Sequence, residues 1–262
     1  MKLKITGLFA AVLFLAASVV SVPVSAQAIQ NPQATLTFEA TRTAEGIDYG
    51  VYVDHASSLS TLMFAMDFTS QDKGTMSLAD NDCFDISHSE WSDESHASLK
   101  AYLGRTGQQA GFSSEDKIKV AQISIPIDIS EVGEVTATVS GAICAGVPQI
   151  DGNAVKGTVT VPESAVRYEI KECSVLSFDR NHANILSSAQ RNADVLYAAY
   201  DDSGRLISIR KKSVEFNQGK NEISVDGIDF DQSETVSIMI WDRIGSMRSL
   251  ADKVTIKNQN GD

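Results

Sequence analysis

Basic residues, cysteines and catalytic signatures are all scarce in this chain, and each shortage excludes something. Among 262 residues there are 22 Lys+Arg against 34 Asp+Glu, a formal charge of −12. An acidic surface repels phosphate backbones and anionic lipids, so neither nucleic acid nor a membrane surface is an expected partner. Three cysteines, Cys83, Cys144 and Cys173, are too few for a disulfide framework. The odd count leaves at least one thiol unpaired in a monomer. Loop entropy gives about 4 kcal/mol to either an 83–144 or a 144–173 bridge, so magnitude does not choose; Cys83 with Cys144 stands as the candidate pair. The chain holds no CxxC, no H-E-x-x-H, no nucleophile elbow and no phosphate-binding glycine loop. A protein without catalytic activity is expected.

Long apolar runs are confined to the start. Lys2 and Lys4 precede LFAAVLFLAASVV, and Ser21, Pro23 and Val24-Ser25-Ala26-Gln27-Ala28 follow. A basic start, an apolar core and an A-x-A-like exit describe a secretory signal peptide over residues 1–28. The expectation is a secreted or cell-surface protein with no integral membrane span once that segment is removed. Removal takes two lysines and no acids, so the charge becomes 20 − 34 = −14. Residues 29–166 hold 7 − 19 = −12 of it and residues 167–262 hold 13 − 15 = −2.

Helical periodicity of useful length is missing, and period-two patterns are everywhere. In Ser58–Ser70 the residues Leu62, Phe64, Met66 and Phe68 alternate, a strand made to bury one face. Lys117–Ile127 (KIKVAQISIPI) can supply the facing layer. Its apolar phase slips around Ala121-Gln122, as a β-bulge would make it, and Pro126 predicts an edge or a strand end. Residues 34–43, Tyr49–Asp54, 135–139 and 155–161 also alternate, while Ser70–Leu99 reads as a long connection. Beyond the polar passage at Pro162–Glu172 come more strand-like runs, with Asp201-Asp202-Ser203-Gly204 as a hairpin turn. Asn184–Gln190 has room for a helical turn, and Trp241 in SIMIWD reads as core. The pattern predicts two all-β antiparallel sandwiches, over residues 29–164 and 165–262.

The stretches VYVDHASSLSTLMFAMDFTS, GFSSEDKIKVAQISIPI and GEVTATVSGAI, in that order, resemble the cohesin domains of anaerobic polysaccharide-degrading bacteria and the carbohydrate-binding modules that share their jelly roll. The likeness spans about residues 34–162. It departs after Asp67-Phe68, where Thr-Ser-Gln-Asp replaces a tyrosine-aspartate-proline type of turn. The second half, through DVLYAAYDDSGRLISI and IMIWDRIGSMRSLAD, resembles immunoglobulin-like modules of secreted proteins from gut anaerobes, usually spacers. The chain has no duplicated D-x-D/N-x-D/N-G calcium loop and is not itself a dockerin. The resemblance implies a recognition module for another extracellular protein, dockerin-type included, in a polysaccharide-capture setting, with a sheet face as the contact.

Two other uses are open. Trp91 among carboxylates, with Glu90, Asp93, Tyr102 and Tyr52, can stack on a sugar while polar groups bond its hydroxyls; a polysaccharide is then the partner. The alternative for Trp91 is a ring that covers a sandwich edge. Asp80, Asp82 and Asp85 gather hard oxygen ligands suited to Ca2+, though without the glycine and distal glutamate of a calcium loop. His88 and His96 flank an acidic loop whose spacing matches no metal site. A passive surface or spacer protein is the third reading.

Overall fold

The structure is a computed structural model that describes residues 31–70, 72–92, 97–106, 111–148, 154–228 and 233–257. The expected signal peptide at 1–28, Asp93 and His96 lie outside the described residues. Among the described residues there is no helix, and none long and apolar enough to cross a membrane.

Among the described residues, twelve strands build the first sandwich. They are β1 (Gln33–Arg42), β2 (Gly46–Leu59), β3 (Thr61–Phe68), β4 (Thr75–Leu78), β5 (Ile86–Trp91) and β6 (Ser98–Gly104). Then come β7 (Phe112–Ser114), β8 (Ile118–Pro126), β9 (Gly133–Pro148), β10 (Ala154–Lys156), β11 (Thr158–Thr160) and β12 (Ala165–Ile170). One sheet runs β11-β1-β2-β8-β4, with β7 also on β2; the other runs β10-β9-β3-β6-β5, with β12 also on β9. Among the described residues its pairings are antiparallel except β1 with β11. Leu62, Phe64, Met66 and Phe68 of β3 face inward as their alternation predicts, and meet Leu36, Val51, Ile123 and Ile125 of the facing sheet in one core. The expected bulge is present: Val51 pairs with Ala121 and the next residue, Tyr52, with Lys119, so Val120 is the extra residue. Val120 and Ala121 are then both buried, which is why the apolar phase slips. Pro126 is the last residue of β8, the strand end expected of it, and the β4 pairing stops two residues short of it at Ser124.

Three expectations give way. The connection Ser70–Leu99 carries β4 and β5, strands too short and too exposed to show a buried phase. Residues 155–161 form not one strand but two, on different sheets, with Gly157 at the crossing. A Cβ there would stand 2.3 Å from the Pro32 carbonyl oxygen and 2.5 Å from the Cys144 sulfur, so only glycine lets the chain pass. Thirdly, β12 pairs with residues 133–138 of β9, and the two cores separate between Ile170 and Cys173, beyond the 164/165 junction.

The second sandwich has β13 (Cys173–Phe178), β14 (His182–Ser187), β15 (Arg191–Tyr200) and β16 (Leu206–Phe216). It is completed by β17 (Gly219–Ser224), β18 (Thr235–Trp241) and β19 (Val254–Lys257). Sheets β13-β14-β17 and β16-β15-β18-β19 share a core of Ile185, Val195, Tyr197, Phe216, Ile238 and Ile240. The helical turn expected near Asn184 is the strand β14, and Trp241 is half-buried outside this core rather than within it.

Cys83, Cys144 and Cys173 are free thiols, so the candidate Cys83–Cys144 bridge is not formed. Cys144 lies on β9 and Cys83 just before β5, with β3 and β6 between those strands. Three strand spacings are roughly 14 Å, about twice the greatest Cα separation that a disulfide tolerates. The Cys144 thiol instead lies 3.6 Å from the Thr158 carbonyl oxygen and 3.8 Å from that of Pro32.

Candidate functional site

The first sandwich has two outer faces of opposite character. On the β1-β2-β8-β4 side, cross-strand register sets Thr37 beside Tyr52 and Lys119, and Thr41 beside Asp48 and Ser124. The charged and amide groups beside them bond one another, while the buried Thr37 hydroxyl has no hydrogen-bond partner among the described residues. Lys117 donates to Glu39 at 2.5 Å, Lys119 to Gln122 at 2.7 Å, and Gln122 to Asp48 at 2.8 Å. The Tyr52 ring lies across Gly50, where a Cβ would meet it at 2.7 Å, with the Lys117 ammonium 4.6 Å from its centroid. Its hydrogen bond and ion pair with Lys117 hold Glu39 below the usual carboxylate range.

The β9-β3-β6-β5 side is different. Register aligns Ile143, Met63, Tyr102 and His88 in one row straight across the four strands. The neighbouring rows read Ala145, Thr61, Gly104, Ile86 and Gly141, Ala65, Lys100, Glu90. The centre is therefore apolar, and Ile143 is 59% and Ile86 48% exposed. Gly104 and Gly141 leave bare backbone, with nothing within 4 Å of where a Cβ would be. A shallow depression of about 230 Å³ runs between Met63, Tyr102, Gly141 and Ile143. Charge lies at the margins, with Lys156 on β10, Asp67 at the end of β3, and Lys100 and Glu90 on β6 and β5, where the His88 ring lies 5.9 Å from that of Tyr102 and 3.4 Å from the Glu90 carboxylate. Contiguous apolar side chains facing water mark contact surfaces. A flat apolar centre with polar groups at its margin is the anatomy of a protein interface.

The residues picked from the sequence are not brought together. Tyr102 and Glu90 lie on this face, but Tyr52 lies on the opposite one. Trp91 points inward, half-buried against the first core, with its ring 5.7 Å from Phe68. It covers the sandwich edge, and Trp91 and Glu90, successive strand residues, point to opposite faces. Asp80, Asp82 and Asp85 do not converge either, and among the described residues no group of three or more His, Cys, Asp or Glu is placed to hold a metal ion. Asp85 accepts from the Thr106 hydroxyl and, at 2.7 Å, from its amide, which lowers its pKa and fastens the loop before β5 to the end of β6. Met63, Ile143 and Ile86 were not legible as site residues. Their only signal is an apolar residue in the water-facing phase of a strand whose other phase is fully buried.

No protein-family model matches the chain, and no curated protein matches it. Among solved structures it is similar to a non-cellulosomal cohesin from the hyperthermophilic archaeon Archaeoglobus fulgidus, at 10% identity over 54% of this chain and 91% of that one, TM-score 0.36. It is also similar to the seventh ScaB type I cohesin from Pseudobacteroides cellulosolvens, at 8% identity over 51% and 89%, TM-score 0.34. A beta-glucuronidase from Bacteroides uniformis aligns at 6% identity over 82% of this chain and 26% of its own, TM-score 0.28. The chain is thus similar to cohesin modules over about half its length, and with TM-scores below 0.5 these likenesses carry no argument about what it binds or does.

Proposed function

We propose that the first sandwich is a non-catalytic recognition module of cohesin-like kind that docks another extracellular protein through the outer face of β9, β3, β6 and β5. Polysaccharide capture is the setting that the sequence resemblance suggests. In this reading the second sandwich is an immunoglobulin-like spacer, and residues 1–28 direct the chain out of the cell. One observation carries the proposal: the aligned row Ile143–Met63–Tyr102 keeps apolar side chains in water on one face while the other face of the same sandwich is polar and internally bonded. Burying that row gains roughly 25 cal/mol per Å² of apolar surface, whereas burying the opposite face would break satisfied polar contacts.

The test is capture of partners from the source secretome on immobilised full-length protein, with and without a calcium chelator. Dockerin-type partners need calcium to fold, so a specific band lost with chelator and absent with Tyr102→Asp is expected. A band that Tyr102→Asp retains overturns the assignment of the face. Retention of a polysaccharide by the wild type, with no protein captured, would favour the carbohydrate reading instead.

A further inference from the structure

Arg42 is the last residue of β1 and is only 6% exposed. Its Nη2 donates one long hydrogen bond, 3.3 Å, to the Asp128 carbonyl oxygen, and its buried Nη1 has no partner. Among the described residues no carboxylate stands within ion-pair distance of it. The Asp128 carboxylate is turned to the Ser130 amide at 2.8 Å and to the Ser130 hydroxyl at 2.5 Å. Asp252 is occupied by Lys171 at 2.5 Å. Glu131 and Asp128 attract the guanidinium from beyond ion-pair distance, which does not make up for its lost hydration. Burial accordingly pulls the Arg42 pKa below its ordinary value.

Arg42 also lines a cavity of about 190 Å³ at the junction of the two sandwiches. Thr41 and Tyr168 contribute from the first sandwich, Ser174 and Asp252 from the second. The cavity has several times the roughly 30 Å³ that one water takes in the liquid. Its hydroxyls can donate to an oxygen ligand, and a guanidinium presents planar donors suited to a carboxylate or another oxyanion. We propose that this junction pocket is a binding site for a small oxyanion, a free carboxylate or an inorganic oxyanion, held by Arg42 with help from the hydroxyls of Tyr168 and Ser174. The Lys171 ammonium, close to Tyr168, offsets Asp252 and keeps the pocket open to negative charge. Because the walls come from both sandwiches, an occupant would also tie one to the other. The site is separate from the docking face and stands or falls without it.

Full-length protein titrated with formate, acetate, phosphate and sulfate at constant ionic strength tests this, read by calorimetry and by melting temperature against chloride. A saturable heat and a matching rise in Tm with at least one of the four is expected, and which of them binds separates the carboxylate from the inorganic source. Arg42→Met should abolish the heat and the rise, and Ser174→Ala should weaken both. No saturable heat with any of the four on the wild-type protein would overturn the site, whatever the variants do. So would a Tm rise that Arg42→Met retains, since that is a general salt effect.

Discussion

At the scale of single residues, the structure assigns specific tasks to side chains that the sequence shows only as small or acidic. Gly157 is where the chain leaves one sheet for the other, and nothing in its neighbours' alternation marks it. Gly157→Ala would drive a Cβ into the Pro32 carbonyl and the Cys144 sulfur. It should cost about 1–3 kcal/mol in a urea melt, as overpacking does. Asp201 accepts from the Ser203 hydroxyl at 2.7 Å and from the Arg205 amide at 2.8 Å, and these bonds hold its pKa at about 2. Its unfolded value is about 3.9. A depressed carboxylate stabilises the fold fully above the unfolded pKa and loses that contribution as pH falls through the folded one. Stability should therefore drop between about pH 4 and pH 2, and Asp201→Asn should flatten that part of the profile. With all cysteines free, denatured, unreduced protein should titrate three thiols; a single thiol would contradict the separation of Cys83 from Cys144.

Elements were legible in proportion to how completely they bury one face. β3 and β8 could be read, phase slip included, because Leu62, Met66 and Ile123 each lie fully inside. Leu62→Ala should cost about 2–5 kcal/mol in chemical denaturation, the range for a large-to-small change in a close-packed core. β4 and β5 were hidden for the opposite reason: their pattern is mostly exposed, and their place is set by pairing to β8 and β6 rather than by their own alternation. β12 starts just past the expected junction yet belongs to the first sandwich, because a shift in charge balance does not report backbone pairing; its partner, β9, lies about thirty residues upstream. Tyr102 stands out in the sequence as an aromatic and is on the candidate face, yet Met63 and Ile143 meet it only through register between strands distant in sequence. Trp91 attracted notice by composition, but a residue's parity along β5 decides whether it faces water, and Trp91 has the inward parity.

At the scale of the molecule, two cores are joined by Lys171 and Glu172, and both residues are held. Lys171 pairs with Asp252 at 2.5 Å, and Glu172 with Arg191 at 2.6 Å and Arg248 at 3.1 Å. Lys220 adds a contact to Glu45 across the junction at 3.3 Å. These ions are partly or largely exposed, so each contributes little to stability by itself. The first sandwich places an apolar row on one side and a bonded polar network on the other, and the difference between those faces is the central claim. The direct measurement compares partner capture by Met63→Lys, on the apolar face, with capture by Thr37→Lys, on the polar one, after both are shown to melt like the wild type. Loss of capture with Met63→Lys and wild-type capture with Thr37→Lys is the predicted result. Equal capture by both, or loss with Thr37→Lys alone, would contradict it.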